Sequence, residues 1–102
     1  MFVQAPEVAE WAASEDEIWD RIKWFLERAI PCAESAGVNL ACHPDDPPVP
    51  KLKGETRVTG SFEGMKRLME LVPSDANGFN FCQGTVAEMG VDVIEMIRYF
   101  GS

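Results

Sequence analysis

Behind Ser14, apolar residues fall at Ile18, Ile22, Phe25, Ala29 and Cys32, in steps of three and four that place them along one side of a helix. Ser14 and Glu17 have capping-box spacing, in which hydroxyl and carboxylate each satisfy a free N–H group of the first turn. Gly37 can adopt the left-handed conformation that closes a helix. The spacing predicts a helix to about Ala36, with Pro31 kinking or tightening its last turns. A second stripe, Phe62, Met65, Leu68, Met69 and Val72, predicts a helix from Ser61 to about Leu71, with Lys66 and Arg67 outward and Pro73 as its stop. A third helix is predicted from about Val91, with Val93, Ile94, Ile97 and Phe100 inward.

The stretches between the helices alternate instead. Val38, Leu40 and Cys42 share one side of a strand, and Asn39, Ala41 and His43 the other. After a turn at Asn77 and Gly78, Phe79 and Phe81 oppose Asn80, Cys82 and Gly84. QGTVAEMG then reads as a glycine-bounded loop. Helix, strand, long loop, helix, strand, loop, helix is the alternation that calls for a parallel α/β sheet. Two strands do not make a buried sheet, and a closed (β/α)8 TIM barrel takes about 250 residues, so the expected architecture is a single partial domain over 1–102, about a third of a barrel. The segment from Met1 to Ala13 carries no strong period, is broken by Pro6 and reads as a connection in which Trp11 packs on something.

The chemistry gathers where the strands end. His43 and Cys82 close the two alternating stretches on the same polar side, separated by the length of one strand, loop, helix and strand, which is the repeat of a β/α fold. If the apolar sides pack on helices, both face the barrel interior near the carboxyl ends of the strands, where such barrels build active sites. Imidazole and thiolate suit a borderline divalent ion. A loop hydrogen bond for His43 and a small buried hydrophobe for Cys82 are the plainer readings of each residue taken alone. Cys42 and Cys32 read as packing residues. After His43, the prolines Pro44, Pro47, Pro48 and Pro50 exclude regular structure, and residues 44–60 read as a stiff active-site loop extended through Gly54 and Gly60. Asp45 and Asp46 could offer oxygens to a metal or substrate, or bond the loop's own backbone, and Arg57 is the loop's anion-binding candidate. Glu88 reads as a solvated carboxylate at a helix start, with acid or base work as the sharper alternative.

Charge narrows the partners. Nine basic against seventeen acidic residues give −8 over 102 residues, which lacks the basic footprint a nucleic-acid partner requires. No apolar run approaches a membrane span, and the start MFVQAPEVAEW lacks the pattern of a signal peptide. Three cysteines do not frame disulfides by themselves and read as reduced thiols in the cytoplasm.

Three strings carry a resemblance: IPCAESAGVNLACHPDD, the HPDDPP at His43 to Pro48 that overlaps it, and SFEGMKRLMELVPSDANGFNFCQGTVAEMG from Ser61 to Gly90. From about Trp19 to Gly101 the chain resembles the mannonate dehydratases, xylose-isomerase-like TIM barrels of sugar-acid degradation. The resemblance implies a lyase that removes water from D-mannonate to give 2-keto-3-deoxy-D-gluconate, with Mn²⁺ or Fe²⁺. It implies that His43 and Cys82 are metal ligands, and that a further histidine, an aspartate and the catalytic acid and base belong to later strands, downstream of Ser102. Arg57, Asp45 and Asp46 of the loop are the candidates for substrate contacts, and the resemblance implies a small sugar acid as partner. Two alternatives stay open: a divalent-metal sugar isomerase of the same barrel class, and a non-catalytic α/β module. The uncovered sheet edges and the faces of Trp19, Trp24 and Phe25 predict self-association into a homo-oligomer.

Overall fold

The computed structural model describes residues 11–52 and 54–101. The expected connection at the amino terminus therefore lies mostly outside the described residues, and Trp11, which was expected to pack, is 72% exposed. The first helix, α1 (Glu15–Ala36), has the capping box in full: Ser14 Oγ accepts from Glu17 N at 3.2 Å, and Ser14 N donates to Glu17 Oε1 at 3.3 Å. Gly37 closes it in the left-handed conformation, φ 69°. The helix stays α through Pro31.

Its buried side is rotated from the expected one. Trp19, Leu26, Ile30 and Ala33 are buried, whereas Phe25 and Cys32 are exposed. Two apolar stripes lie side by side on α1, and spacing does not say which one meets the sheet. Trp19 is taken inward and lies under the Arg67 guanidinium, 4.6 Å from its ring centre. Trp24 and Phe25 stay in solvent, at 61% and 57% exposure.

The first strand, β1 (Leu40–Cys42), is shorter than its alternation suggested, and Val38 is 51% exposed. The proline-rich stretch then gives way to a small antiparallel hairpin, β2 (Lys51–Leu52) and β3 (Glu55–Thr56), where an uninterrupted loop was expected. Register pairs Lys51 with Thr56 and Leu52 with Glu55, and Gly54 between the strands supplies the positive φ of 80° that a tight hairpin needs.

Ser61 caps α2 (Phe62–Leu71) through Gly64 N at 3.1 Å. Gly64 lies so close to the returning loop that a Cβ there would overlap the carbonyl oxygen of Val58. Asn77 and Gly78, expected as a turn, instead begin β4 (Asn77–Phe79). The reason is tertiary. The buried Asn77 amide donates to Leu68 O at 3.2 Å and Val72 O at 3.1 Å, satisfying carbonyls at the end of α2 while its backbone joins the ladder. QGTVAEMG, expected as a loop, forms α3 (Gln83–Glu88), which places Glu88 at a helix end and not at a start. The last helix, α4 (Val93–Phe100), buries Met96, with Val93 and Phe100 packed beside it, while Ile94 and Ile97, expected inward, are 55% and 42% exposed.

β1 and β4 pair in parallel, Leu40 with Asn77, Ala41 with Gly78 and Cys42 with Phe79. One core joins α1 and α2 through Trp19, Leu26, Ile30, Ala33 and Leu68, with Leu40, Cys42 and Phe79 of the sheet packed on it; a second joins α2, α3 and α4 through Met65, Val86 and Met96, with Phe79 of β4 beside it. The helix α2 serves both. This is the expected α/β arrangement of helices around parallel strands.

Candidate metal centre

The parallel register sets the site. Cys42 stands opposite Phe79, and Asn80 N donates to Cys42 O at 2.9 Å, so the ladder runs one step past the strands. Carried on by that step, His43 comes level with Asn80, and Cys82 follows two residues later with the same parity. Cys42 turns towards the helices, where it packs on the first core. His43 turns the other way and is exposed.

His43 and Cys82 are neighbours there, close enough that each perturbs the other's ionisation. His43 Nδ1 lies 2.6 Å from Pro44 O. A carbonyl only accepts, so Nδ1 carries the proton and the Nε2 lone pair is left for a ligand. That carbonyl raises the imidazole pKa above its ordinary 6.5; the Cys82 sulfur adds to the rise, and the charge of Asp46 contributes least. Cys82 shifts the other way. Its pKa falls below 9.0, first because the Thr85 hydroxyl donates to Sγ at 3.2 Å, then through the nearby Thr85 N–H and His43. That N–H acts on the sulfur without closing a helix-cap hydrogen bond. Thr85 is buried at 3% exposure, and nothing in the residue pattern marked it beforehand.

Cys42 has the opposite environment. Burial raises its thiol pKa, the Asp45 carboxylate raises it further, and Sγ donates to His43 O at 3.5 Å.

The loop after His43 is cinched at its base. Asp45 Oδ2 accepts from Thr59 N at 2.8 Å, Thr59 O accepts from Asp45 N at 3.2 Å, and Asp45 Oδ1 pairs with Arg57 Nη2 at 3.2 Å. Asp45 and Arg57 thus hold each other and the loop, and Asp46 is exposed beside His43. His43, Asp45, Arg57 and Thr59 line one end of a groove of about 740 Å³ whose other wall is α1, with Ile22 and Phe25. Cys82 lies outside that groove. Among the described residues no group of three or more His, Cys, Asp or Glu side chains is arranged to hold a metal ion, so these residues bring together the pair His43 and Cys82 and not a closed site.

A parallel β/α segment with an imidazole and a thiolate-favouring cysteine at its strand ends belongs to the class of β/α-barrel proteins that place polar donors at that face. The chain is a member of the mannonate dehydratase family: the family model described as D-mannonate dehydratase (UxuA) matches residues 8–102. Mannonate dehydratase from Geobacillus thermodenitrificans is 38% identical over 88 residues, covering 85% of this chain and 24% of the relative. Mannonate dehydratase from Thermotoga petrophila is 41% identical over the same shares. The crystal structure of mannonate dehydratase from Streptococcus suis serotype 2 superposes with a TM-score of 0.81 at 35% identity, covering 88% of this chain and 26% of that one. The chain thus spans about a quarter of the length of these relatives.

Proposed function

We propose that this chain supplies two ligands of a divalent-metal lyase that dehydrates D-mannonate to 2-keto-3-deoxy-D-gluconate, with His43 and Cys82 holding Mn²⁺ or Fe²⁺. The observation that carries the reading is the meeting of His43 and Cys82 beyond a parallel strand pair, in a chain whose family membership rests on residues 8–102. The donor set suits such an ion, because Pro44 O engages Nδ1 and leaves Nε2, and because Cys82 is biased towards thiolate. The thiolate brings negative charge and the neutral imidazole none. When bound, the metal supplies Lewis-acid polarisation of the sugar acid's carboxylate and hydroxyl oxygens.

The chain's own residues then bind and orient. Arg57 has five N–H donors, and the one that pairs with Asp45 aims the guanidinium while others reach a substrate carboxylate. Asp45 and Asp46 are the acceptors of the same rim for substrate hydroxyls. The free cysteines Cys32, Cys42 and Cys82 fit a cytoplasmic setting, and no helix of the described residues is long and apolar enough to cross a membrane. Exposed Trp24 and Phe25 support self-association, which sedimentation of the chain would register.

The test is a chimera in which this chain replaces the aligned quarter of the Streptococcus suis enzyme. Metal-dependent release of a 2-keto-3-deoxy acid from D-mannonate, abolished by His43→Ala or Cys82→Ser, is expected. A metal-loaded chimera indifferent to both substitutions overturns the reading, and a ketose formed from an aldose redirects it to an isomerase.

A further inference from the structure

We infer that Thr85 is a positioning residue for the Cys82 sulfur, fixing the direction in which that sulfur meets a metal ion. The inference rests on the reading of His43 and Cys82 as a metal-binding pair and assigns a role to a residue one helical turn beyond it. Thr85 is buried at 3% exposure, and its hydroxyl donates to Cys82 Sγ at 3.2 Å. A hydroxyl removed from water must be hydrogen-bonded or pay for its desolvation, and here the sulfur is its acceptor. A cysteine side chain has a single heavy-atom torsion, so one directed hydrogen bond is enough to select where Sγ points.

The selected direction is the useful one, since the register of β1 and β4 puts Cys82 on the same side of the strand ends as His43. His43 is oriented in the same manner by the carbonyl of Pro44 at 2.6 Å. Each donor is therefore held from behind by a short-range neighbour, a hydroxyl for the thiolate and a carbonyl for the imidazole. Groups that hold metal ligands in this way typically contribute about 10- to 100-fold in metal affinity.

Thr85 could instead be a small core residue next to Val86, which is fully buried, and its methyl group would then matter more than its oxygen. Thr85→Val keeps the shape and removes the hydroxyl; Thr85→Ser keeps the hydroxyl and removes the methyl. Each variant is made in the Streptococcus suis chimera and titrated with Co²⁺ at fixed pH, following the thiolate-to-cobalt absorption, with Cys82→Ser as the blank and far-ultraviolet circular dichroism as the check on folding. Thr85→Val is expected to weaken Co²⁺ binding by about 10- to 100-fold, and Thr85→Ser to stay within about threefold of the parent. Equal affinity in Thr85→Val and the parent overturns the inference while leaving the metal pair in place. So does a Thr85→Ser variant as weak as Thr85→Val; if Thr85→Val fails to fold, Thr85→Ala takes its place beside Thr85→Ser, with the same losses expected and the same equalities overturning the inference. A parent chimera that binds Co²⁺ with no Cys82-dependent absorption overturns the metal pair itself and this inference with it.

Discussion

The carboxyl ends of β1 and β4 carry the same pair of tasks, to turn the chain and to present one polar side chain, and they perform them by different means. Beyond β4 the chain enters α3 at once, and Cys82 is held by Thr85 three residues on. Beyond β1 it runs through the prolines and a hairpin before α2, and the loop is held by contacts between Asp45 and Thr59, fourteen residues apart. The first arrangement is local and needs little else to be folded. The second requires the loop to close, which costs chain entropy that the Asp45 contacts and the packing of Gly64 must offset. The two cysteines show the same contrast: Cys42 is shifted towards the thiol by burial, and Cys82 towards the thiolate by a hydroxyl.

The contrast breaks most easily at the long loop. Gly64→Ala should raise helix propensity in α2, yet its Cβ would overlap Val58 O, so a net loss of about 1–3 kcal/mol is expected in urea unfolding. A gain in stability would mean that the loop does not rest on α2 as described. Next in size is Asp45→Ala, which leaves Thr59 N without its acceptor and Arg57 without its partner, at a cost of about 1–3 kcal/mol. Asp45→Asn retains an oxygen for Thr59 and should recover part of that loss; equal losses for both would assign the effect to the charge alone.

Alkylation sharpens the comparison of the strand ends. With iodoacetamide near neutral pH, peptide mass analysis should find Cys82 modified well before Cys42, because the thiolate is the reacting form and the two pKa shifts are opposite. The smallest effect is the titration of the single histidine, which gives one imidazole resonance to follow. Without metal, His43 should titrate above 6.5, and Cys82→Ser should lower it only in part, since Pro44 O is the larger cause. A pKa raised by folding adds stability that is full below 6.5 and fades as pH rises through the raised value. For Cys82 the sign reverses, so its contribution is full above 9.0 and fades as pH falls through the lowered value.

Local signals were legible wherever a short stretch of chain decides the outcome. Ser14, Glu17 and Gly37 bound the first helix because capping chemistry is confined to one turn. Strand parity placed Cys42 towards the helices and His43 with Cys82 on the far side, because side-chain direction alternates irrespective of what lies around the strand. Recurring apolar steps announced that α1 has a buried side. Which of its two neighbouring stripes is buried was decided by the sheet and by Arg67 over Trp19.

Asn77 and Gly78 have the composition of a turn, and nothing local distinguishes them from one. They became strand because the Asn77 amide found carbonyls at the end of α2 and its backbone found β1, partners remote in sequence. The role of Asp45 as the clasp of its loop, and the contact of Thr85 with a sulfur, likewise exist only once packing has brought the groups together. Periodicity and capping are properties of neighbouring residues and so belong to the sequence. The choice of buried face and of hydrogen-bond partner depends on which surfaces exclude water from which groups, and only the assembled fold determines that.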